Sequence, residues 1–183
     1  MRPALFLACT AILAACVAQP SGEARAVLDQ ASTLAPAPAT EYLRRAAASD
    51  LYEIQSSQLV LETSQDERLR RFAQMMIDHH SGTTAALAQA ARTAGLTPPV
   101  PALDAEKRAM IQALRAADGR DRDRLYQTQQ AAAHRDALQL HGAYARSGDT
   151  PALREAAQAA TPIVARHLNS LGAQRGAPGH DGH

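Results

Sequence analysis

Glu53, His79, His134 and His167 are metal-ligand types, and each falls in a different long helical stretch of the chain. Each lies on or beside an apolar stripe, where an ionisable side chain is rarely left without a partner. Inward-facing ligand residues from four helices are how helical proteins assemble metal sites. Three imidazoles and one carboxylate suit a single Zn, Cu, Fe or Mn ion, and donor softness does not choose among them. Asp50, one turn before Glu53, is the alternative carboxylate, and His141 is a further imidazole near His134. A second reading takes Met75, Met76, His79 and His80, clustered on one helix, as a copper site, because thioether ligation selects Cu(I). Methionines at helical spacing also serve as core filler. A third reading has no metal, the protein acting in the cell envelope through protein contacts. His180 and His183, near the C-terminus, would hold a metal only weakly.

The elements that must position these residues are legible from periodicity and punctuation. A first long helix is predicted over about 40–63, with Leu43, Ala47, Leu51, Ile54, Gln58 and Leu61 on its stripe. Ser64-Gln65-Asp66-Glu67 has capping-box spacing and predicts the start of a second helix. That helix carries Leu69, Phe72, Met76, His79, His80, Thr83 and Leu87, and Gly95 with Pro98, Pro99 and Pro101 ends it. A shorter helix is predicted over 102–117, broken by Asp118-Gly119. A third long helix follows over about 121–146, with Tyr126, Gln130, His134, Leu138 and His141 on one side. Thr150-Pro151 reads as a cap followed by proline at the first helical position, opening a fourth helix to about Leu171. Pro162 lies inside it and predicts a kink one turn before His167. No stretch alternates in the manner of a strand. The expected architecture is all-α, four long helices with one short extra helix in the middle connection.

At a rise of ~1.5 Å per residue, the four ligand candidates fall within roughly 10 Å of one layer if the middle connection crosses the length of the molecule. An up-and-down arrangement gives a similar spread, so depth favours convergence without choosing the topology.

The first residues read as targeting rather than fold. Arg2 precedes an apolar run from Ala4 to Ala15, too short to span a bilayer, and Leu13-Ala14-Ala15-Cys16 resembles a bacterial lipoprotein signal. On that resemblance residues 1–15 are removed and Cys16 is lipidated. The residue after it is Val17 and not Asp, which by the sorting rule of Gram-negative lipoproteins points to the periplasmic face of the outer membrane. Cys9 leaves with the signal, so no thiol is left for catalysis, a disulfide or a cysteine-ligated zinc. Residues 16–39, with Pro20, Gly22, Pro36 and Pro38, read as a lipid-anchored tether in which a short helix near 24–34 is allowed but not required. Residues 40–172 form the helical domain, and 173–183 a Gly-rich disordered tail. The membrane, reached through Cys16, is the only partner the sequence indicates.

Lys and Arg total 19 against 18 Asp and Glu. Losing Arg2 with the signal leaves the two signs equal, which argues against a nucleic-acid partner. The sequence has no activated serine or cysteine arrangement, no phosphate-cradling glycine loop and no paired carboxylates at acid/base spacing, so enzymatic chemistry is not the expectation.

Five segments carry a family resemblance: LRRAAASDLYEIQSSQLVL (Leu43–Leu61), FAQMMIDH (Phe72–His79), GLTPP (Gly95–Pro99), YQTQQAAAH (Tyr126–His134) and TPIVARHL (Thr161–Leu168). Over about residues 41–171 the chain resembles the bacterial domain of unknown function 4142 family, assigned to the ferritin-like superfamily. The resemblance implies a four-helix, ferritin-like bundle, often exported, with Glu53, Asp78-His79, His134 and His167 on the family's polar positions. It implies no established activity. Ferritin-like di-iron centres use Glu-x-x-His on two helices. None occurs here, since Met76, Ala131 and Val164 stand three residues before His79, His134 and His167. Di-iron oxidation is therefore not expected. MMIDHH also resembles a methionine–histidine signature of another exported helical family.

Overall fold

A computed structural model describes residues 21–176, with side chains to residue 173. The segment expected to be a signal, Cys16, and the two tail histidines lie outside the described residues. The described residues form six helices: α1 (Gly22–Ala31), α2 (Ala39–Thr63), α3 (Glu67–Thr93), α4 (Ala105–Ala116), α5 (Gly119–Ser147) and α6 (Pro151–Gly176). No strand occurs among the described residues. No helix among them is long and apolar enough to cross a membrane.

The turns follow from local chemistry. Ser64 was expected to cap α3, but it ends α2 in an extended conformation, and Asp66 is the cap, accepting from the amides of Arg68 and Leu69. Ser64 instead accepts from the Asp66 amide and donates to Asp123 of α5 at 2.9 Å, tying the α2–α3 turn to a third helix. At the other end of α3, Gly95 takes φ +72°. The Leu96 amide reaches back to the Ala91 carbonyl at 2.9 Å and the Gly95 amide to Arg92 at 3.0 Å, a Schellman closure that needs the left-handed glycine. α6 continues through Pro162, whose missing N–H leaves the Gln158 carbonyl without its helical donor. It also extends to Gly176, so residues 173–176, expected in the tail, are helical.

Two apolar clusters form the core. One gathers Val60, Leu69, Phe72, Met76, Tyr126, Leu138 and Leu168. The other gathers Tyr42, Leu43, Leu87, Tyr144 and Leu153. Along α2 and α3, Asp50, Glu53 and His80 fall between the stretches that supply the two clusters, so the polar groups are sealed above and below by hydrocarbon. The order of the clusters along each helix also gives direction. α2 runs from the second cluster to the first and α3 returns; α5 runs from the first to the second and α6 returns. α3 therefore ends beside one cluster and α5 begins beside the other, and residues 94–118, including α4, cover that length. α4 rests on α2 and α5 through Ile111, packed with Tyr52 and Ala133, and through Leu114.

α1 alters the tether expected over 16–39. Ala24, Val27 and Ala31 are buried, and the helix lies on α5 and α6. Glu23 pairs with Arg135, and Ser21 contacts Asn169. Gly142 permits the approach, because a Cβ there would stand 3.0 Å from the Leu28 side chain and 3.4 Å from that of Ala31.

Candidate metal centre

His80, His134 and His167, one each from α3, α5 and α6, bring one ring nitrogen apiece within 4.8 Å of one another. All three are buried. Nitrogens sharing a tetrahedral ion at ~2.0–2.1 Å stand roughly 3.3 Å apart, so small side-chain shifts would close the set. The remaining ring nitrogens decide which edges are available. His80 Nδ1 is 2.8 Å from Asp50 Oδ1, which leaves Nε2, buried and without a partner. His134 Nδ1 donates to the Gln130 carbonyl at 2.8 Å, which leaves Nε2. His134 Nε2 is 3.2 Å from His167 Nδ1, and His167 Nε2 is 2.8 Å from His79 Nδ1. Each imidazole is thus held at one nitrogen by an outer partner, and His80 Nε2, His134 Nε2 and His167 Nδ1 are the atoms left to face a common centre. Outer partners of this kind fix tautomer and ring direction in metal-ligating histidines.

Asp50 is the best-supported carboxylate in the region. Besides His80 it accepts from Thr83 and Thr84, each at 3.0 Å. His80, Thr83, Thr84 and Leu87 share one helical face at i, i+3, i+4 and i+7. That spacing was present in the sequence and could have marked the two threonines.

The electrostatics suit neutral imidazoles at two positions. Burial, reinforced by His80, holds His134 down at about 3. Burial and the neighbouring histidines hold His167 far below the ordinary imidazole range. For His80, burial pushes down, but the hydrogen bond and charge of Asp50 outweigh it and hold the ring above its ordinary value. A cation at His80 Nε2 would compete only with the second proton of a charged imidazole, not with the Nδ1 proton held by Asp50.

The residues singled out from sequence divide as follows. His134 and His167 stand in the buried cluster. His79 does not; it is exposed, stacked on His167 with ring centroids 5.0 Å apart, and His80 takes the inward place. Successive residues on a helix point about 100° apart, and here it is His80 that takes the direction toward Asp50. Glu53 stays outside the set. It is 1% exposed, lies 3.5 Å from His134 Nδ1, and neither oxygen has a hydrogen-bond partner. Burial raises its carboxyl to about 7. Met76 is fully buried in the first apolar cluster and Met75 packs against it, so both act as core. His141 lies apart, bonded through Nδ1 to the Tyr42 hydroxyl at 3.0 Å.

No curated protein and no solved structure gives a significant match to this sequence. The family described as Domain of unknown function (DUF4142) matches residues 24–173, a span that takes in most of α1 and every residue of the buried cluster. The chain belongs to the DUF4142 family.

Proposed function

We propose that this protein holds one transition-metal ion on His80 Nε2, His134 Nε2 and His167 Nδ1, with a fourth position open to solvent-derived or protein oxygen. The observation that carries this reading is the convergence of three buried ring nitrogens, each on an imidazole whose other nitrogen is already engaged. A merely structural histidine cluster has no need to leave His80 Nε2 buried without a partner. An all-imidazole set favours Cu²⁺ and Zn²⁺ over Fe²⁺ and Mn²⁺ on affinity grounds. The framework is a ferritin-like four-helix bundle, supported by the antiparallel α2–α3 and α5–α6 pairs and by the connection that covers the length of the core. The ion is mononuclear, because this cluster lacks the four carboxylates and paired Glu-x-x-His of a di-iron centre.

The protein is exported and tethered by lipid at Cys16, on the periplasmic face of the outer membrane. With α1 docked on the domain, residues 17–21 are all that separates the anchor from the fold, a reach of at most about 17 Å. The domain is thereby held close to the bilayer surface.

Titration of the metal-free protein with Zn²⁺ and Cu²⁺, followed by calorimetry and elemental analysis, tests the metal reading. One equivalent is expected to bind, and His134→Ala is expected to abolish it. Stoichiometric binding that survives the combined His134→Ala and His167→Ala changes would end the proposal.

A further inference from the structure

A cleft of about 300 Å³ opens between α3 and α6. None of His80, His134 and His167 lines it. The walls are made of small residues, Gly82 and Ala86 on α3 facing Ala156, Ala159 and Ala160 on α6. A Cβ placed at Gly82 would meet nothing within 4 Å. The volume lies at the lower end of ordinary small-molecule pockets, and the lining is mostly hydrocarbon with a few polar groups, the usual composition of such sites.

Two of those polar groups, Tyr42 and His141, are buried and joined to each other. The Tyr42 hydroxyl has His141 Nδ1 as its one partner among the described residues. If Nδ1 carried the proton, the phenolic proton would be left without an acceptor in the interior, which is costly. The phenol therefore donates to Nδ1, and the imidazole proton resides on Nε2. Burial keeps the ring neutral, its value held down at about 4. His141 Nε2–H has no acceptor among the described residues, although His141 is only 5% exposed and lines the cleft. Asp50 lines the cleft too, but its oxygens already accept from His80, Thr83 and Thr84. With Asp78 it contributes negative potential against the one arginine of the lining, Arg166, and that balance disfavours an anionic head group.

We propose that this cleft binds a small, uncharged, mainly hydrocarbon molecule bearing one oxygen acceptor, which receives the His141 Nε2–H. Ketones, esters and aryl ethers belong to this class; carboxylates do not. The inference stands independently of the metal reading, although a bound molecule would lie against Asp50 and His79, the outer partners of two of the three imidazoles.

Acetophenone, ethylbenzene and benzoate serve as probes against the metal-free protein, followed by saturation-transfer NMR and calorimetry. The ketone is expected to bind about 10-fold more tightly than the hydrocarbon, the worth of roughly one net hydrogen bond, and benzoate is expected not to bind. Gly82→Leu and Ala159→Leu, on opposite walls at exposed helical positions where leucine is a good helix former, should each abolish ketone binding while circular dichroism shows the helices intact. Equal affinity for ketone and hydrocarbon overturns the proposal. So does ketone binding that survives both leucines, or no binding up to about 10 mM ketone.

Discussion

Asp50 Oδ1 accepts from His80 Nδ1 at 2.8 Å, across the α2–α3 interface, with both partners almost fully buried. This bond places the imidazole proton on the Asp50 side and leaves Nε2 as the free donor atom for a metal. Thr83 and Thr84 hold the other carboxylate oxygen, so Asp50 cannot swing away without breaking two further hydrogen bonds.

Asp50→Asn keeps the shape but loses the charge that orients and enriches His80. Metal affinity is expected to fall about 10–100-fold, with no change in stoichiometry, as for other outer partners of ligating histidines. Competitive titration against a chromophoric chelator measures this. Unchanged affinity would show that the orienting role is absent.

His79 and His80 separate two roles at adjacent positions. His80→Ala removes a ligand and is expected to abolish stoichiometric binding. His79→Ala removes only the outer partner of His167 and should weaken binding about 10–100-fold without abolishing it. The reverse order of severity would return His79 to the inward place expected from sequence.

The metal-free protein should lose stability in mild acid. His141 is held down at about 4 by burial, against an ordinary 6.5. Its contribution is fully present above the ordinary value. It is lost as pH falls toward the folded value, because between the two the unfolded chain binds a proton that the folded one refuses. From pH 7 to pH 5 this one group costs about 2 kcal/mol. Urea unfolding at the two values checks it, and His141→Gln should flatten the difference by about that amount.

Gly142 marks the seat of α1. Valine there would drive methyl groups into Leu28 and Ala31, and is expected to cost about 1–3 kcal/mol. Proteolysis should then cut α1 first, between residues 22 and 38. A variant as stable and as resistant as the parent would show that α1 is not docked in solution.

Cys16→Ser should release the protein from the membrane fraction into the soluble periplasm. Retention in the membrane would remove the lipid-anchor reading.

Much of this protein is written locally. The five helices beyond the tether follow from periodicity and from breakers such as Gly95 and Asp118-Gly119, because hydrophobic spacing and glycine φ act within a few residues. His134 and His167 are likewise legible, each on an inward stripe, although Gln130 and His141 share the stripe of His134. Tertiary structure decided the rest. An apolar stripe is at least 100° wide, and neighbouring residues differ by about that angle, so periodicity cannot choose His80 over His79. The choice is made by Asp50 across the interface. Nor does any local rule say that Gly22–Ala31 docks, since a marginal ten-residue helix is held only by the surface that Gly142 leaves open. Which nitrogen of each imidazole faces the centre depends on partners 4 to 88 residues away in the chain, and only folding brings those together.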